Sequence, residues 1–123
     1  MRKIEQEMVT AIRARRNWKS GNTEVLHDPV LGGCEVEVRL RGNLIAKRYY
    51  RGDAPGQWQI TLAGRNTPTT RSRLTALCQA FTRCNGVRTC KGVAGLVYAK
   101  TITGEWRAEP VIQPVTDSQW VQV

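Results

Sequence analysis

The sequence predicts an α+β fold: a twisted antiparallel sheet with two helices packed on one face. Two observations carry that reading. Two segments repeat apolar residues at helical spacing, while the segments between them alternate apolar and polar residues and are joined by tight turns. Their order, α-β-β-β-β-α-β-β, lacks the regular alternation that builds parallel sheets. A chain of 123 residues has room for one core, so residues 1–123 are expected to form one domain.

Residues 2–17 read as the first helix, because Ile4, Met8, Ala11 and Ile12 fall on one face. "KSGN" follows, with Gly21 as a natural stop. "TEVLH" is a short strand and "DPVLGG" a turn. "CEVEVRL" alternates strictly, which places Val36, Val38 and Leu40 inside and Glu35, Glu37 and Arg39 on a solvated face. "RGNLIAKRYY" continues it as a hairpin through a Gly42–Asn43 turn. After the turn "DAPG", "QWQITLA" aligns Trp58, Ile60 and Leu62 on one face of a further strand.

The second helix is predicted over 69–83, with Leu74, Leu77, Cys78 and Phe81 as its buried stripe and Thr69 or Thr70 as its N-cap, just after Pro68. "CNGVRTCKGV", with two glycines, reads as a loop. "AGLVYAK" and "EWRAEPVIQ" are strands joined by "TITG" in a second hairpin. Pro110 and Pro114 restrict residues 110–123 to an edge strand or an extended segment.

Charge is the strongest guide to function. The formal net charge is +9, and no acidic residue occurs between Asp53 and Glu105, whereas Arg65, Arg71, Arg73, Arg83, Arg88, Lys91 and Lys100 do. Arg13, Arg15, Arg16 and Lys19 form a second cluster. Such asymmetry creates a positive field that favours phosphate polymers. Within it, "GRNTPTTRSRL" brings three arginines and four hydroxyl side chains to a helix start, where unpaired N–H groups already attract anions. Arg65, Arg71 and Arg73 are expected to straddle a phosphate backbone, with Thr67, Thr69 and Thr70 contacting its oxygens.

Other chemistries find little support. The stretch lacks the Gly-Lys-Ser/Thr ending of a phosphate-gripping loop. One histidine, His27, and no nucleophile motif leave no triad or Cys–His pair, although a small nuclease could use scattered carboxylates. Cys34, Cys78, Cys84 and Cys90 lack the close pairs of a structural zinc site, so no metal or cofactor is expected. A Cys84–Cys90 disulfide fits a cytosolic protein poorly. No apolar run is long enough to span a bilayer, and "MRKIEQEMV" lacks the apolar core of a signal peptide, which predicts a soluble, intracellular protein without a membrane partner.

"SGNTEV", "VRLRGNLIA" and "ITLAGRNTPTTRSRLTAL", in that order, resemble a small bacteriophage domain family with the pattern N-T-x-V, G-N-x-I-A and T-x-T-T-x-x-R-L-x-A-L. The matches are Asn22, Thr23, Val25, Leu40, Gly42, Asn43, Ile45, Ala46, Ala63, Gly64, Thr67, Thr69, Thr70, Arg73, Leu74, Ala76 and Leu77. "MRKIEQEMVTAI" is similar to the opening helix of podovirus-type versions, and the resemblance covers about residues 1–80. Arg41 and Arg65 stand where the family often has histidine and tryptophan. The resemblance implies phage origin and action in the cytoplasm of an infected host.

Together these readings predict a non-catalytic phage protein that binds DNA or RNA through Arg65, Thr67, Thr69, Thr70, Arg71, Arg73 and Arg83, assisted by Arg13, Arg16 and Lys19. Aromatic stacking would come from Tyr49, Tyr50 or Trp58, with Trp58 better suited to the core. The alternative is an effector that inhibits a host protein through an acidic patch.

Overall fold

A computed structural model describes residues 2–28, 34–51, 54–90, 92–101, 108–116 and 118–123. The elements are α1 (Lys3–Arg13), β1 (Trp18–Ser20), β2 (Thr23–His27), β3 (Cys34–Leu40), β4 (Asn43–Arg51), β5 (Ala54–Ile60), α2 (Pro68–Phe81), β6 (Cys84–Cys90), β7 (Val93–Thr101), β8 (Ala108–Pro114) and β9 (Val121–Gln122). The α+β class is as the sequence predicts. The strands, however, form two antiparallel sheets, β1-β2-β3-β4-β5-β9 and β6-β7-β8. The second sheet exists because "CNGVRTC" is a strand and not a loop. Gly86, which suggested a turn, is required by packing instead: at φ +131° it lies against α2, where a Cβ would meet Thr75 Cγ2 at 2.6 Å. Thr75 also takes a hydrogen bond from Val87 N at 3.1 Å and so ties α2 to β6. β7 and β8 pair antiparallel, as the sequence predicts for the two strands, while all but the first residue of the predicted "TITG" turn lies outside the described residues. β8 lies at the sheet edge, where its prolines cost no ladder bond.

Helix α1 buries Met8, Val9, Ala11 and Ile12. It stops well short of Gly21. Arg15 adopts φ 52°, and the bonds Arg16 N to Ala11 O (3.0 Å) and Arg15 N to Ile12 O (3.3 Å) close a Schellman cap. The β3–β4 turn is Arg41–Gly42, one residue earlier than expected. Both residues have positive φ, 51° and 80°, the twist that a two-residue hairpin prefers.

The N-cap of α2 is Thr67, not Thr69 or Thr70. Its hydroxyl accepts from Thr70 N at 3.2 Å and lies 2.9 Å from the Thr70 hydroxyl, and Pro68 occupies the first helical position. Thr67→Ala should cost about 1 kcal/mol. Urea unfolding checks this, and a loss as large for Thr69→Ala as for Thr67→Ala would move the cap.

The apolar stripe of α2 (Leu74, Leu77, Cys78) joins Val25, Val36, Val38, Ile45, Trp58, Ile60, Val87 and Leu96 in one cluster that draws on both sheets. The two helices run side by side in the same direction. Glu5 in the first turn of α1 meets Ser72 and Arg73 near the start of α2, and Arg13 at the end of α1 lies over Phe81 at the end of α2. Parallel packing brings both helix N-termini to one end of the molecule.

Glu35 and Glu37 do not face solvent; both are 4% exposed. A register shift between Cys34 and Val36 breaks the strict alternation of β3. Glu35 accepts a two-point contact from Arg48 (3.1 and 2.8 Å), with Arg15 3.6 Å away. Glu37 pairs with Arg39 at 3.1 Å.

Candidate functional site

Arg73 is the first correction to the predicted site. It is 5% exposed, because α2 turns it inward between the two helices and β2. Its guanidinium donates to Glu5 Oε2 and to Thr23 Oγ1, each at 3.0 Å. Glu5, 3% exposed, also accepts from the Ser72 hydroxyl and, at 3.2 Å, from Arg2 N at the start of α1. A buried cation and anion, each with further hydrogen bonds, form an internal bolt. Arg73 is thereby removed from any phosphate-facing surface. Thr70, 3% exposed and bonded to Thr67, belongs to the helix start in the same way. Thr23, Thr67, Thr70 and Arg73 are all pattern residues, so that part of the pattern holds the fold.

Arg71, two positions earlier, points elsewhere. It lines an open groove of about 480 Å³ with Arg2, Glu5, Pro68, Ser72, Thr75, Gln79, Val87 and Arg88. The walls are the start of α1, the outer face of α2 and strand β6. Arg71 is oriented by Asn66, whose backbone carbonyl it reaches at 3.2 Å and whose side-chain carbonyl it also contacts. Arg2 and Arg88 are exposed. Among the described residues Glu5 is the one carboxylate in the lining, and its charge is already met by Arg73. Three guanidiniums therefore remain in excess where the positive ends of two parallel helix dipoles meet. The first turn of α2 carries no acidic residue to offset them. Such a groove suits an extended anion held by its guanidiniums, since the Ser72, Thr75 and Gln79 side chains already donate to Glu5, Val87 O and Asn85 O.

The other predicted contacts are dispersed. Arg65 is exposed in the turn before α2 and Thr69 is half-buried on its first turn. Arg83 is exposed just beyond the end of α2. Arg13 is exposed but held 5.5 Å over the Phe81 ring. Arg16 lines a second groove of about 490 Å³ with Lys3, Gln6, Glu7, Thr10 and Trp18, and Lys19 lies on the edge strand β1. The structure thus brings Arg71 together with Arg2 and Arg88, which the sequence reading did not assign to the site. In sequence the glycine-bearing segment around Arg88 carries no strand signal; as a strand residue its position beside α2 is fixed.

Cys78 and Cys84 meet, but the four cysteines do not gather at one site. Cys34 lies in the first sheet, and Cys84 and Cys90 stand at opposite ends of β6, about 20 Å apart along an extended strand, too far for a disulfide. Hydrogen bonding with Cys84, and then burial, holds the Cys78 thiol above its ordinary range; burial raises that of Cys34. Both therefore stay neutral thiols. Among the described residues no three His, Cys, Asp or Glu side chains are placed to hold a metal, and no helix is long and apolar enough to cross a membrane.

Residues 1–113 match a family model described as Kyanoviridae Gp96 protein. The chain belongs to this family. The Kyanoviridae Gp96 match supports the bacteriophage origin and extends past the roughly eighty residues of the pattern, so β6, β7 and almost all of β8 are part of the family domain. Neither a curated protein nor a solved structure matches the chain.

Proposed function

We propose that this bacteriophage protein binds nucleic acid without catalysis, in the cytoplasm of the infected host, and that the groove beside α2 is its phosphate-binding surface. The observation that carries the reading is the surplus of three guanidiniums, Arg2, Arg71 and Arg88, in one groove whose one carboxylate among the described residues is already paired. Arg65 and Thr69 extend this surface along the start of α2, and Arg83 extends it past the helix end. Arg13, Arg16 and Lys19 supply a general positive field and not a contact in the groove. Phosphate contacts of this kind position a backbone without reading bases, so DNA and RNA are both ligands.

Titration of the protein with single- and double-stranded DNA and RNA at two salt concentrations tests the proposal. Three neutralised phosphates imply a loss of about 40-fold in duplex affinity between 50 and 200 mM salt. Absence of binding at low salt would end the reading and favour a host protein with an acidic surface as the partner.

A further inference from the structure

We infer that the face of the first sheet turned away from the helices carries a base-stacking platform for single-stranded nucleic acid, built from Tyr49, Trp120 and Lys47. The inference rests on the nucleic-acid reading but uses a different surface.

The geometry follows from register. In an antiparallel ladder, directly paired residues share a face. Ala46 pairs with Ile60 and Arg48 with Trp58, and Ala46, Ile60 and Trp58 are buried on the helix side, where Trp58 packs on Phe81 with ring centroids 5.7 Å apart. Lys47 therefore points the other way, together with its partner Gln59 and, across β9, Gln122. Tyr49 lies two positions along β4 on the same side. Trp120 precedes β9 and reaches the same cation. The Lys47 ammonium lies 4.0 Å from the Trp120 ring centroid and 5.2 Å from that of Tyr49.

Among the described residues, Tyr49 and Trp120 are the exposed aromatic side chains, at 39% and 37%. Two rings flanking a lysine combine stacking surface with a phosphate partner, as in sites that bind unpaired strands. A protein-docking patch would need continuous apolar surface, whereas the row through Lys47 continues with Gln59 and Gln122. Charge on the face also suits a polyanion. Arg39 covers Glu37, and Glu24 lies between Arg39 and Lys19 across the neighbouring strands. Duplex DNA hides its base faces, so the platform serves single strands.

The experiment measures affinity of the full chain for an oligothymidylate, an abasic strand of equal length and a duplex. The oligothymidylate should bind about tenfold tighter than the abasic strand. Tyr49→Ala with Trp120→Ala should remove that advantage and leave abasic and duplex affinities unchanged, while Trp120→Phe should retain most of it. The wild-type protein supplies a second readout that needs no variant: its tryptophan emission should be quenched by oligothymidylate and not by the abasic strand. Equal affinity for base-bearing and abasic strands would overturn the platform and leave the groove standing. No binding of any of the three would overturn both.

Discussion

Arg73→Met is expected to lower folding stability by about 3–5 kcal/mol, because it leaves the Glu5 carboxylate buried without its counter-charge. Solvent does not screen this pair: the two side chains are 5% and 4% exposed. Against a total of about 5–15 kcal/mol for a typical domain, the variant should be partly unfolded at moderate temperature. Adding Glu5→Gln should recover part of the loss, since it removes the uncompensated charge while keeping a group that Ser72 and Arg2 N can bond. Chemical denaturation of the two variants measures both effects. A loss below about 1 kcal/mol for Arg73→Met would mean that the pair is not a structural bolt.

Arg71→Ala combined with Arg88→Ala should do the reverse. Neither side chain belongs to the core cluster, so stability should stay within about 0.5 kcal/mol of wild type. Duplex affinity at low salt should fall by roughly tenfold or more, and the slope of log affinity against log salt should flatten by about 1.8, the share of two phosphate contacts. Arg83→Ala is a useful comparison, because that residue is exposed but outside the groove lining. It should change affinity less than either groove arginine. Equal losses from all three would describe a diffuse positive surface without a groove.

Arg71 and Arg73 differ by two positions in sequence and by everything in role. Their local sequence supports one reading, three arginines around a helix start, because it contains no acid. The partner of Arg73 is Glu5, 68 positions away, and only the parallel packing of α1 and α2 brings it near. Helical periodicity was legible for both helices because burial is decided by neighbours three and four residues away, and Met8, Ile12, Leu74, Leu77 and Cys78 lie where that spacing puts them. The β3 alternation correctly placed Val36, Val38 and Leu40 inside, yet it missed the burial of Glu35, which depends on a register shift and on Arg48 from the next strand. Strand β6 was illegible for a related reason. Gly86 is set by contact with Thr75 across a helix–sheet interface, and a glycine placed by packing looks, in sequence, like a glycine placed by a turn. The groove inherits both difficulties, since Arg2, Arg71 and Arg88 come from three separate segments.

The most direct test is an arginine protection map: modification of the protein by a dicarbonyl reagent, with and without saturating oligonucleotide, read by peptide mass spectrometry. Arg2, Arg71 and Arg88 should react in the free protein and be protected in the complex, while Arg73 should be unreactive in both because it is buried against Glu5. Protection confined to Arg13, Arg16 or Arg83, with Arg71 and Arg88 reacting as freely as before, would contradict the account.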